Sequence, residues 1–166
     1  MTFATTAALF VAAMLLFIRF AAMDPKRWRI DPERPIRSGK PNDFHLTAFA
    51  ACPVGDQMAG VYDLPFESLC NILQDVALAE PRTIRIAGDE MLGHITLVQR
   101  SALMGFPDAI TIMTYPIDHS DDHPTSSVAI YSRSRYGNSD RGINRARVQR
   151  WLAEAAPFLA EPQPRI

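Results

Sequence analysis

Arg133, Arg135, Arg141, Arg145, Arg147 and Arg150 fall within eighteen residues and share that span with a single acid, Asp140. Guanidinium groups at this density suit bidentate contacts to carboxylate or phosphate, so the chemistry on offer is the holding of an anion. The span from Asp56 to Asp122, by contrast, carries eleven acids against Arg82, Arg85 and Arg100. The chain is therefore electrically polarised although its formal net charge is −1, a balance that argues against a general nucleic-acid binder. On a strand, Arg133 and Arg135 project from one side about 7 Å apart, while Ile130, Ser132 and Ser134 take the other. Arg145 and Arg147 open the following helix, where cations oppose the helix dipole at about 0.3–1 kcal/mol each, so a negative group should compensate. Candidates are Asp140, Asp108, or an external phosphate or carboxylate docked on the helix amides. The residues expected to meet a ligand are Arg133, Arg135, Ser139, Asp140, Asn144, Arg145 and Arg147. Three readings stay open: an internal network tying the last helix to the sheet, which would leave the domain a purely structural adaptor; a site for a small anion, lipid headgroup or partner protein; and a catalytic site. In the last, a hydrolase or transferase would clamp a phosphorylated or carboxylated substrate with Arg135 and Arg147 and react through Ser139 or Asp140.

Other chemistry is thinner. Gly137-Asn-Ser139-Asp-Arg-Gly142 places its second glycine one residue too late for a nucleophile elbow. Asp118-His119-Ser-Asp121-Asp122-His123 gathers carboxylates and imidazoles, but metal sites draw ligands from separated elements, so a solvated loop is expected and no metal. His94 reads as a core-edge histidine, and no Gly-rich phosphate loop or dinucleotide fingerprint implies a cofactor. Cys52 and Cys70 lack a Cys-x-x-Cys spacing; a bridge between them stays open beside a buried Cys70.

The elements that must position these residues follow from periodicity. No charge interrupts Thr2 to Ile18, which together with Phe20 to Met23 reads as a transmembrane anchor over 1–23, rather than a cleaved signal with its basic residues in front. Arg19, Lys26, Arg27, Arg29, Arg34 and Arg37 follow it, so the positive-inside rule points to an inner-membrane, single-pass protein with its domain in the cytoplasm, a periplasmic domain staying open as the alternative. Residues 24–43 hold four prolines and are expected to form an extended tether, with Trp28 either at the headgroup level or tucked against the domain. The domain spans 44–160 and a short tail 161–166. Residues 44–62 lack clean periodicity. Phe66, Leu69, Cys70, Leu73, Val76 and Ala77 recur at helical spacing after Asp63, a plausible N-cap. Strands follow over 82–87, 91–101, 109–115 and 126–136, then a helix capped by Asp140 or Asn144 with Val148, Trp151, Leu152, Ala155 and Leu159 on one face. The expected fold is α+β, a four-stranded antiparallel meander sheet with two helices on one face, preceded by one N-terminal transmembrane helix.

Ser132-Arg-Ser-Arg-Tyr-Gly-Asn-Ser-Asp-Arg-Gly-Ile-Asn-Arg-Ala-Arg-Val148, with Arg100 to Asp108 and Leu78 to Thr83, resembles the domain of unknown function 1499. The likeness covers roughly 41–159. It maps Ser134, Arg135, Gly137, Ser139, Asp140, Gly142, Asn144 and Arg147 onto the family's motif, while Arg141 stands where the family usually has leucine. The resemblance implies domain limits and no reaction.

Overall fold

A computed structural model describes residues 3–49, 55–118 and 123–160. Apolar side chains at helical spacing make α3 (Phe66–Ala79), which buries Leu69, Cys70, Leu73 and Ala77 and stops at Glu80 ahead of Pro81. Its N-cap position is Pro65 with no side-chain cap, so Asp63 does not cap it. The second amphipathic run makes α4 (Ile143–Ala160), whose Val148, Trp151 and Ala155 are buried. Alternating β-branched and apolar residues make β3 (Thr83–Asp89), β4 (His94–Arg100), β5 (Pro107–Asp118) and β6 (Thr125–Ser134), each antiparallel to the next.

Among the described residues the sheet has six strands, not four, in the order β2-β1-β6-β5-β4-β3. The additions are β1 (Asp43–Thr47), antiparallel to β6, and β2 (Gln57–Met58), parallel to β1, so the sheet is mixed and the four-stranded meander is corrected. They lie in the stretch without periodicity because five and two residues are too few to declare an alternation. Helices α3 and α4 pack on one face over Phe44, Leu46, Ile95, Leu97, Ile110, Ile112, Val128 and Ile130. Each such buried aliphatic or aromatic side chain contributes about 1.5–3 kcal/mol.

The opposite face is covered by the chain's own N-terminal segment. Helix α1 (Phe3–Arg19) ends at Arg19, and Phe20 to Met23, expected to lengthen it, instead leave it as non-helical chain; Ala21 and Met23 are buried. Seventeen residues rise about 25 Å against a bilayer core of about 30 Å, and no helix among the described residues is long and apolar enough to cross a membrane. The expected transmembrane helix is thereby corrected. One short turn, α2 (Pro25–Trp28), capped by Asp24, then sets Trp28 and Met23 against Val98 and Ala109. The segment expected as a tether lies across the sheet at several points. Ile30 O meets His94 Nε2 at 3.1 Å, Glu33 accepts from Thr47 Oγ1 and the Ala48 amide at 2.9 Å each, and Arg37 pairs with Asp43 and Asp56. Its prolines make it a strap: they forbid regular ladders but not docking.

Cys70 is a free, buried thiol, which burial pushes up to about 12; Cys52 and residues 119–122 lie outside the described residues.

Candidate functional site

The arginine-rich junction divides into two sets on opposite faces of the sheet. On the helix face, the turn after β6 uses left-handed backbone at Gly137, Arg141 and Gly142, and Asp140 caps α4. Asp140 Oδ1 accepts from the Gly142 amide at 2.9 Å, and Oδ2 accepts from Asn144 N at 2.8 Å and Asn144 Nδ2 at 2.7 Å. Both carboxylate oxygens are thus committed to the helix start, an arrangement that suits the dipole. Ser139 Oγ accepts from the Arg141 amide at 3.2 Å. Asn144, fully buried, also donates to Asn42 O (3.0 Å) and Ser134 Oγ (3.2 Å), joining the start of β1 to the end of β6.

Arg147 lies at the centre, 3% exposed. Its Nε donates to Gln99 Oε1 (2.6 Å), Nη1 to Asn144 Oδ1 (2.6 Å) and Ser132 Oγ (3.0 Å), and Nη2 to Asp108 Oδ2 (2.6 Å). One helix turn on, Arg150 pairs with Glu80. Burial alone would raise that carboxyl, but hydrogen bonds from Gln99 and Arg150 hold it below the usual range. On this face, then, the junction is an internal network. Asp108 supplies the compensating charge for Arg147, and Arg145 lies exposed with its guanidinium 4.6 Å from the Phe44 ring.

Arg133 and Arg135 emerge on the strap face, as the alternation of β6 requires. Arg133 stacks 4.6 Å from the Trp28 ring and 5.6 Å from Tyr131; burial and then Arg27 hold its pKa below the ordinary guanidinium value. Arg135 Nη1 donates to Ala22 O, and its guanidinium lies over Tyr136. Of the seven expected ligand residues the structure therefore brings Asn144, Asp140 and Arg147 together, sets Arg133 and Arg135 together on the far side of the sheet, and leaves Ser139 and Arg145 apart from both sets.

The strap face also gathers arginines that the sequence reading did not single out. Arg100 Nη1 donates to Arg19 O (2.9 Å) and Gly105 O (3.2 Å), and Nη2 to Ala21 O (2.7 Å). A cation thus closes the C-terminal end of α1, the favourable sign for that end of the dipole. Burial first, then Arg135 and Arg19, lowers Arg100. Among the described residues no carboxylate lies within ion-pair distance of Arg19, Arg82, Arg100, Arg133 or Arg135, whereas Arg37, Arg85, Arg147 and Arg150 are all paired. The available sequence signal was that Arg82 and Arg100 are exceptions in an acidic span; only the fold carries them to Arg19.

No curated protein matches the chain. Among solved structures, a DUF4468 family protein from Bacteroides ovatus ATCC 8483 is similar at 13% identity with a TM-score of 0.32, covering 87% of this chain and all of that one. A model of the protein of unknown function family DUF1499 matches residues 39–154, which takes in every strand, α3 and most of α4, and the chain belongs to that family.

Proposed function

We propose that the protein is a binding module seated on a lipid surface by α1, which turns its unpaired arginines toward an anionic ligand there. The observation that carries this reading is a helix whose apolar side chains face solvent. Phe10 and Phe17 are each 71% exposed, and the carbonyls where the chain leaves it are held by Arg100 and Arg135. Exposed apolar area of this extent calls for lipid or a partner protein. Lipid is favoured because cations cluster at the exit of the helix, where they would meet the anionic headgroups of a cytoplasmic leaflet. Since α1 is bonded to the sheet through guanidinium groups, seating would fix the orientation of the whole domain.

The catalytic reading has less support. Asp140 is occupied by the amides and side chain of its own helix start, and Arg147 is closed inside the network, so neither is poised for a substrate. Flotation with liposomes containing phosphatidylglycerol tests the seating. The full chain should rise with the vesicles and the Phe10→Glu/Phe17→Glu variant should stay in the load fraction. Flotation of both to the same extent would refute a role for α1, and elution of the unaltered chain free of vesicles but bound to a protein would favour an adaptor.

A further inference from the structure

Where α1 meets the β4–β5 connection, Arg19, Phe20, Arg82, Arg100, Ser101 and Gly105 line an open cleft of about 290 Å³. That is at the small end of the roughly 300–1,000 Å³ typical of ligand pockets, a size for a headgroup fragment and not for a large cofactor. Three of the six lining residues are arginines and none is acidic.

Arg82 holds its backbone at φ 63°, the left-handed region that glycine and asparagine occupy readily and that a long side chain adopts at a cost. In that conformation Arg82 Nε donates to Arg100 O (3.0 Å), while the Arg100 amide donates to Arg82 O (3.1 Å). Arg19 Nη1 reaches Leu103 O at 3.4 Å. Each arginine is thus steadied through backbone carbonyls, which orient a guanidinium without neutralising it. Exposed apolar side chains belong to the same stretch of chain: Phe20, in the lining, is 75% exposed, Leu103, whose carbonyl meets Arg19, 86%, and Phe106, next to Gly105, 37%. Guanidinium groups beside the exposed Phe20, at the foot of an exposed apolar helix, suit the depth at which a phospholipid carries its phosphate, below water and above its acyl chains.

We propose that this cleft binds the phosphate of a glycerophospholipid, with Arg82 and Arg19 as the contacting groups and Arg100 holding the main chain around them. The assignment deepens the lipid seating proposed above and rests on it for the source of the phosphate.

The test uses the full chain in nonionic detergent, titrated calorimetrically with dihexanoyl phosphatidic acid and, separately, with inorganic phosphate. Asparagine tolerates a left-handed backbone, so Arg82→Asn removes the guanidinium without adding strain; Arg141→Asn, at φ 54° and outside the cleft, controls for loss of charge. Unaltered protein and Arg141→Asn should bind the short-chain lipid alike, and Arg82→Asn at least about tenfold more weakly, the order of one charge-assisted contact. Equal binding by Arg82→Asn, or no binding by the unaltered chain, overturns the site; equal affinity for inorganic phosphate overturns the lipid source. Flotation of Arg82→Asn on neutral phosphatidylcholine vesicles reads α1 alone, so loss of the cleft and loss of the seating are told apart.

Discussion

Replacing Arg147 by methionine should be among the most damaging single changes in the domain. Methionine keeps the stem that passes Ser132 but removes five donors. Asp108, its side chain 13% exposed, loses its guanidinium, and Gln99 Oε1 loses a donor at 2.6 Å. Part of the network survives, because Ser132 Oγ still donates to Asn144 Oδ1 (2.7 Å) and Gln99 still donates to Thr83 (3.1 Å). The cost therefore concentrates on the stranded carboxylate, and breaking a buried pair from one side costs about 3–5 kcal/mol. At about 2–4 °C per kcal/mol for a domain of this size, the midpoint of thermal unfolding should fall by roughly 6–20 °C. Urea unfolding with an unchanged slope would confirm that the native state, and not the unfolded chain, has changed. Arg145→Ala is the internal comparison, since its guanidinium is exposed over Phe44 and is worth about 0.5–1 kcal/mol. Adding Asp108→Asn to Arg147→Met should recover more than about 1 kcal/mol by removing the stranded charge. If Arg147→Met costs no more than Arg145→Ala, the network does not tie α4 to the sheet and the account of the helix face is wrong.

Two further outcomes follow from groups already described. Asp140→Ala should cost about 1–2 kcal/mol by freeing the Gly142 and Asn144 amides, while Asp140→Asn, which still caps, should cost less; urea midpoints decide, and equal losses would point to charge rather than capping. His94 is held below its ordinary value by burial and then by Arg29, against the Ile30 carbonyl and Asp31, so its neutral form is the one the fold favours. Its contribution should be present above the unfolded value of about 6.5 and be lost as pH falls through the lower folded one. Protection of amides over residues 28–33, taken relative to the intrinsic exchange rate at each pH, should fall as pH drops across that window and His94→Gln should flatten the response; an unaltered pH profile in the variant would dismiss the histidine as the cause.

Periodicity made the two helices and the strands β3 to β6 legible, because each carries enough turns or alternations for its buried face to repeat. Phe44 and Leu46 alone could not announce β1, and a parallel two-residue partner has no local signature at all. The end of α1 was illegible for another reason: hydropathy continues through Met23, and what stops the helix at Arg19 is a set of carbonyl contacts from Arg100 and Arg135, about eighty and a hundred and ten residues away. The cationic character of 133–150 was visible, but period two sends Arg133 and Arg135 away from Arg147, so a cluster dense in sequence is not one site. Arg19, Arg82 and Arg100 show the converse, three separate segments meeting at one cleft.

The place of β1 bears on how the chain is made. It is the earliest strand, yet its long neighbour is β6, the last, and Asn42 bonds to Gly137 and Asn144 near the far end. During synthesis nothing can close the sheet until some hundred residues more have left the ribosome. Until then the strap has no β6 to lie on and Arg37 holds acids that anchor nothing. Contacts so distant along the chain slow assembly, and a translation product cut short before Thr125 would keep an orphaned edge beside an uncovered apolar helix, a combination that invites aggregation or rapid proteolysis.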